Sequence, residues 1–456
     1  MPSTVFDSFY FKDRFGTRAM RDIWSDRATI ARWLQVESAL AAVEAELGLV
    51  PEKAAREIGR KARVENLDLR SMKRDFDRTW NPVVPLLDEL RKKLSPAARG
   101  VLHWGATSKN IFDTGLVLQV KDSCDVLQSR LWTVTDRLAA IAEEHRHTLM
   151  AGRTHGQHAI PVTFGFKAAA WLDEILRHEE RFAQSRPRIL VGEFGGAVGT
   201  LAALGGKGLE IQSRLMARLD LGVAAAPVKT AGDRIAEFVL LLCMLSASLG
   251  KIAQNLYNLQ QTDIDEIQEC PEGKVGSSAM PHKQNPVASG SVVFLGRLLR
   301  ANAGPALDYI HAEWEDDHRQ GETAWKFVPE VCLLADAQIE LTARVLSSLV
   351  VKPENMRRNL ERASGFICSE SLLMQLSGSL GRDRAHEKVK ELCDAAREQG
   401  RSLSEIAAED AEVLRHLSKA RIESSLAPEG YLGETQEIVS RVLASYRESR
   451  KPRNLP

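Results

Sequence analysis

The stretch DRIAEFVLLLCMLSASLGKIAQNLYNLQQTDIDEI, Asp233 to Ile267, decides the fold class of this chain. Ile235, Phe238, Leu242, Leu245, Leu249, Ile252, Leu256 and Leu259 recur at steps of three and four, which is one face of an α-helix. No proline interrupts it, and a proline inside a helix costs about 3 kcal/mol. At 1.5 Å per residue the stretch predicts a rod of roughly 50 Å. Its apolar residues spill beyond one stripe. The rod is therefore expected to be covered on several sides, in the middle of a large bundle shared with neighbouring copies.

The same grammar extends outward. Prolines are absent between Pro96 and Pro161, between Pro187 and Pro227, and between Pro353 and Pro428. Helical patterns fill roughly 111–148, 161–186, 285–303 and 327–350, and no alternating strand pattern competes with them. A chain of 456 residues exceeds what one core supports. The expectation is an all-α protein of three domains: an N-terminal helical domain (1–110), a central bundle of long helices (111–352) and a C-terminal domain of shorter helices (353–456).

Lys plus Arg and Asp plus Glu balance at 61 each, so the basic excess of a nucleic-acid binder is missing. The start, MPSTVFDSFYFKDRF, lacks the apolar core of a signal peptide. The most apolar run, FVLLLCMLSASLG, falls short of the roughly twenty residues that span a bilayer. Six cysteines form no CxxC pair and read as buried, reduced thiols. These features predict a cytoplasmic protein without nucleic-acid or membrane partners.

Three polar islands break the helical pattern: HWGATSKNIFDTG (103–115), AGRTHGQHAIPVTFG (151–165) and GKVGSSAMPHKQNPVASG (273–290). In the first, Thr107 and Ser108 precede a helix, where hydroxyls and free N–H groups either bind an anion or simply cap the helix. In the second, His155 sits between small residues and can present an imidazole that titrates near neutral pH to a cleft. In the third, glycine lets backbone N–H groups crowd a serine, whose alkoxide could take a weakly acidic proton. Lys283 and Asn285 could then hold the charge that develops on a carboxylate.

Taken together and in this order, the islands resemble the fumarase/aspartase superfamily. That superfamily includes fumarase, aspartase, argininosuccinate lyase, adenylosuccinate lyase and 3-carboxy-cis,cis-muconate cycloisomerase. Its signature GSSxMPxKxN stands intact as Gly276, Ser277, Ser278, Met280, Pro281, Lys283 and Asn285. The resemblance spans nearly the whole chain. It implies a homotetramer whose core is a bundle of long helices from four subunits, with each active site drawing one island from each of three subunits. It also implies β-elimination through an aci-carboxylate, with no metal or other cofactor, on a small dicarboxylate. Ser277 matches the base. Thr107 and Ser108 match positions that bind a substrate carboxylate, and Lys283 and Asn285 match positions that bind the carboxylate carrying the developing charge. His155 matches the residue that helps protonate a leaving nitrogen. Arg14, Thr154, Gln157, Ser278 and Met280 lie within matching stretches and are assigned to substrate binding.

RFGTRAMRDIWSD, FGGAVGTLAALG and NMRRNLERASGF look most like the cycloisomerase, whereas AGRTHGQHA and SSAMPHK look like adenylosuccinate lyase. The chain departs from both. Asn81 and Pro82 replace an N-terminal His-Asp pair, Gly290 replaces a glutamate that partners the histidine, and Ala231 and Gly232 replace a Gln-Arg pair. EWEDDHRQGETAW (313–325) replaces a substrate-contacting segment. The resulting expectation is a lyase cleaving a C–N bond of an N-substituted aspartate to release fumarate. The alternatives are a lactonising cycloisomerase and an inactive structural paralogue. Glu315, Asp316 and Asp317 could receive an amine or form a solvated turn. Glu322 and Asp317 are candidates to partner His155.

Overall fold

The computed structural model describes residues 4–270, 277, 279–363 and 365–451. The architecture is all-α, as the spacing predicts. The principal helices are α1 (Asp26–Glu46), α2 (Ser108–Glu144), α3 (Phe164–Ile189), α4 (Asp233–Leu259), α5 (Val287–Arg300), α6 (His318–Ser347), α7 (Ser369–Leu380) and α8 (Arg382–Gln399).

Three boundaries differ from the sequence expectation. Helix α4 stops at Leu259, because Asp265 takes a left-handed φ of 47° and the Glu266 N–H turns back to the Leu259 carbonyl at 3.0 Å. Helix α6 begins at His318, ahead of the pattern, and runs through Pro329. The segment after α2 forms an antiparallel hairpin of β1 (Leu149–Thr154) and β2 (Gln157–Thr163). Two further strands, β3 (Ile267–Glu269) and β4 (Leu349–Val351), pair antiparallel. By length and composition α4 could cross a bilayer, but 67% of its apolar window is buried inside the protein. It is thus a core helix of this fold.

The chain divides into two compact units. The first comprises residues 1–131, 178–250 and 293–340, with a core that includes Leu34, Leu40, Ile111, Phe194, Phe238 and Phe327. The second comprises residues 132–177, 251–292 and 341–456. Its C-terminal core gathers Leu360, Leu372 and Leu376 with Val389, Leu392 and Leu403. Here α7 and α8 pack against each other through apolar positions spaced three and four apart.

Candidate active site

In the first unit, the first island ends in the N-terminus of α2. Asn110 Oδ1 accepts the N–H of Thr107 at 3.1 Å and of Gly196 at 3.2 Å, and so fixes the approach of the chain to the helix. Thr107 and Ser108 therefore sit side by side where the helix dipole favours an anion. Asn81 Nδ2 donates to Ser108 Oγ at 3.3 Å, and Asn81 Oδ1 accepts two N–H groups, from Val83 and Val84. Asn81 thus ties the start of the helix that follows it to Ser108 in the first island.

Beneath this helix start lies a buried charge cluster. Lys109 Nζ is 2.8 Å from Asp113 Oδ2, and Arg234 pairs with Glu193 at 2.9 Å. Burial, partly offset by Lys109, raises the Asp113 carboxyl to about 6, and burial together with Asp113 raises Glu193 to about 8. Arg14, assigned to substrate binding, stacks its guanidinium over the Phe294 ring at 5.3 Å in the same unit.

Gly232 and the 313–325 segment meet in this fold. A Cβ at Gly232 would lie 2.3 Å from the Tyr309 carbonyl oxygen and 2.8 Å from Gln320 Nε2. Gln320, from the replaced segment, donates to the Thr230 and Tyr309 carbonyls. A side chain at 232 would therefore meet the Tyr309 backbone and the Gln320 amide. The acidic run is likewise engaged internally: Asp316 pairs with buried Lys229, and Asp317 with Arg319 at 2.7 Å. Arg319 holds the Asp317 carboxyl well below the usual carboxylate range.

In the second unit, β1 and β2 meet in a two-residue loop, His155–Gly156, with φ of 52° and 79°. Left-handed values at both positions make the mirror-image turn that matches strand twist. Thr154, His155 and Gln157 share the exposed tip. Just behind the tip, the Arg153 guanidinium makes a two-pronged pair with fully buried Glu266 at 2.9 and 2.6 Å, while Asn359 donates to the same carboxylate at 3.0 Å. The imidazole thus sits at the end of a rigid post.

Among the described residues of the signature, Ser277 and Met280–Lys283 are joined by backbone hydrogen bonds. The Ser277 N–H donates to the Lys283 carbonyl at 3.1 Å, and the Lys283 N–H donates to the Met280 carbonyl at 3.0 Å. Ser277 and Lys283 are thereby brought together. Ser277 Oγ accepts N–H groups from Met280 at 3.1 Å and Ala279 at 3.4 Å. Asn285 follows just before α5. Gly276 and Ser278 lie outside the described residues. The roots of the loop are joined by Glu269, which sequence reasoning missed. Its buried carboxylate accepts the N–H groups of Ala288 at 2.8 Å and Ser289 at 2.9 Å, capping α5 from the strand that leads into the loop. Gly290 has space for a Cβ, which would meet the Tyr257 ring at 3.6 Å.

Comparison with known proteins identifies the family. A family profile described as lyase matches residues 14–295, and one described as adenylosuccinate lyase C-terminus matches residues 365–442. The N-acetyl-S-(2-succino)cysteine lyase of Enterococcus italicus is 35% identical over 448 residues, covering 98% of each chain. The adenylosuccinate lyase of Methanocaldococcus jannaschii is 37% identical over 442 residues, covering 96% of each. The crystal structure of 3-carboxy-cis,cis-muconate lactonizing enzyme from Pseudomonas putida superposes with a TM-score of 0.90 at 33% identity, covering 97% of this chain and 99% of that one. With both profiles and whole-length relatives pointing the same way, the chain belongs to the fumarase/aspartase superfamily and is a lyase of that superfamily.

Proposed function

We propose that this lyase cleaves the C–N bond of an N-substituted aspartate and releases fumarate through an aci-carboxylate. The observation that carries the reading is the Ser277 hydroxyl oxygen, which accepts two backbone N–H groups beside the Lys283 backbone. A serine so placed can act as an alkoxide and take the proton next to the carboxylate. Lys283 and Asn285 then hold the charge on that carboxylate, and Thr107 and Ser108 bind the other one. The C–N bond breaks as the double bond forms, and His155 gives a proton to the departing nitrogen. Arg14, Thr154, Gln157, Ser278 and Met280 complete the dicarboxylate site in this reading.

We also propose that the protein is a cytoplasmic homotetramer whose three segments, 1–110, 111–352 and 353–456, act as domains and whose sites combine islands from different copies. Met244 and Tyr257 on α4 and Leu298 on α5 remain exposed, which supports self-association along the long apolar helices.

A second reading, lactonisation of 3-carboxymuconate, draws support from the whole-chain likeness to the muconate lactonizing enzyme. One panel separates the two. Fumarate release is followed by ultraviolet absorbance on N-substituted aspartates and S-substituted succinates, with 3-carboxymuconate alongside. His155→Trp should slow amine release by about 10²–10⁴-fold and spare lactonisation, which has no departing group in its forward direction. Full rate of the variant on an aspartate with a poor leaving group removes His155 as the acid.

A further inference from the structure

The first unit contains a cavity of about 500 Å³ whose wall includes Trp24, Trp33, Phe76, Phe112, Leu116 and Trp325. This volume lies within the range of small-ligand pockets, and its lining is mostly aromatic and aliphatic. The polar side chains of the wall are Asp26, Thr29, Lys73 and Gln119; Gln119 donates to the Ile23 carbonyl at 2.7 Å and to Thr29 Oγ1 at 2.9 Å, and Lys73 pairs with Asp77. Phe112 and Trp325 pack edge to face with ring centroids 5.3 Å apart.

Two connections tie the cavity to the first island. Phe112 lies four residues after Ser108 on α2, so it is on the same face about 6 Å along the helix. Pro82, in the wall, follows Asn81, whose side chain bonds Ser108. Phe76 and Trp325 are also shared with an adjoining hollow lined by Trp80, Asp77 and Glu322. Trp80 is 76% exposed and takes a left-handed φ of 56°. In that conformation Trp80 closes the helix Leu69–Thr79, its N–H donating to the Phe76 carbonyl at 2.8 Å.

We propose that this cavity receives the apolar, aryl or alkyl arm of the substrate's leaving group when the dicarboxylate end is held by Thr107 and Ser108. The inference rests on the dicarboxylate reading given above and adds the class of the arm. It makes the wall residues specificity-determining, since an arm that fills the cavity exchanges water contact for aromatic contact.

The test uses the full chain and unreactive probes, a series of 2-alkylsuccinates from methyl to pentyl together with 2-benzylsuccinate, in which a C–C bond replaces the scissile bond. Binding is read by quenching of tryptophan fluorescence. Affinity should rise about three- to fourfold per methylene along the alkyl series. Ile30→Trp, which fills the cavity from its wall, should abolish that rise, and Phe76→Ala, also in the lining, should shallow it. Melting curves of both variants check that they fold. Equal affinity for every arm in the unaltered protein overturns the proposal, as does a rise that survives Ile30→Trp. Failure of the dicarboxylate reading shows differently, as no competition between 2-methylsuccinate and fumarate.

Discussion

Ser277 and Glu44 show what one residue can and cannot disclose. Ser277 is legible because its neighbours form a dense, ordered motif, and the fold adds the two N–H groups that meet its oxygen. Ser277→Ala should lower kcat by at least about 10²–10⁴-fold with the melting temperature unchanged. Loss of rate in Ser278→Ala instead would move the base by one position. Glu44 on α1 belongs to no motif, yet it is fully buried, and neither carboxylate oxygen has a hydrogen-bond partner among the described residues. Burial, and then Glu37, raises its carboxyl from 4.5 to about 8. Between those values the folded state holds more protons than the unfolded one, so stability falls as pH rises through the window. The slope reaches at most about 1.4 kcal/mol per pH unit. Glu44→Gln should be more stable than the parent at pH 8, with the gap closing toward pH 4.5. Urea midpoints of both proteins across this range check it, and parallel curves would refute the assignment.

At the scale of elements, the long helices were readable because their apolar residues keep the helical period over many turns. The hairpin was not. Its alternation is short, and a register shift between Ala151 and Arg153 interrupts it. What holds it, the Arg153–Glu266–Asn359 contact, joins residues 93 and 113 positions apart and leaves no local trace. Glu269 is hidden in the same way, since a carboxylate that caps a helix 19 residues later looks like any acid in a loop. Glu269→Ala should cost about 2 kcal/mol, because it leaves buried N–H donors of α5 unmet, whereas Glu269→Gln should cost less. Denaturant midpoints give the stabilities. Equal midpoints for Glu269→Ala and the unaltered protein would mean that water serves the helix end as well.

On the scale of the whole molecule, the proposal of shared sites makes a mixing experiment decisive. Ser277→Ala and His155→Ala are each expected to be inactive. Unfolded and refolded together in equal amounts, they should regain activity. If a site takes these residues from different copies, about a quarter of the sites carry neither change by chance, one half times one half. Mixed assemblies that form and stay silent would defeat the shared site. The division of the chain into units has a consequence of another kind. The first unit needs residues 293–340 to complete it, and its other segments end at Leu131 and Gly250. Translation adds about 5–20 residues per second, so a growing chain waits roughly 20–70 s before that unit can close. During this interval α2 and the apolar face of α4 have emerged without their full cover. Chaperone supply and the speed of synthesis, rather than final stability, should therefore govern how much of this protein reaches its folded state.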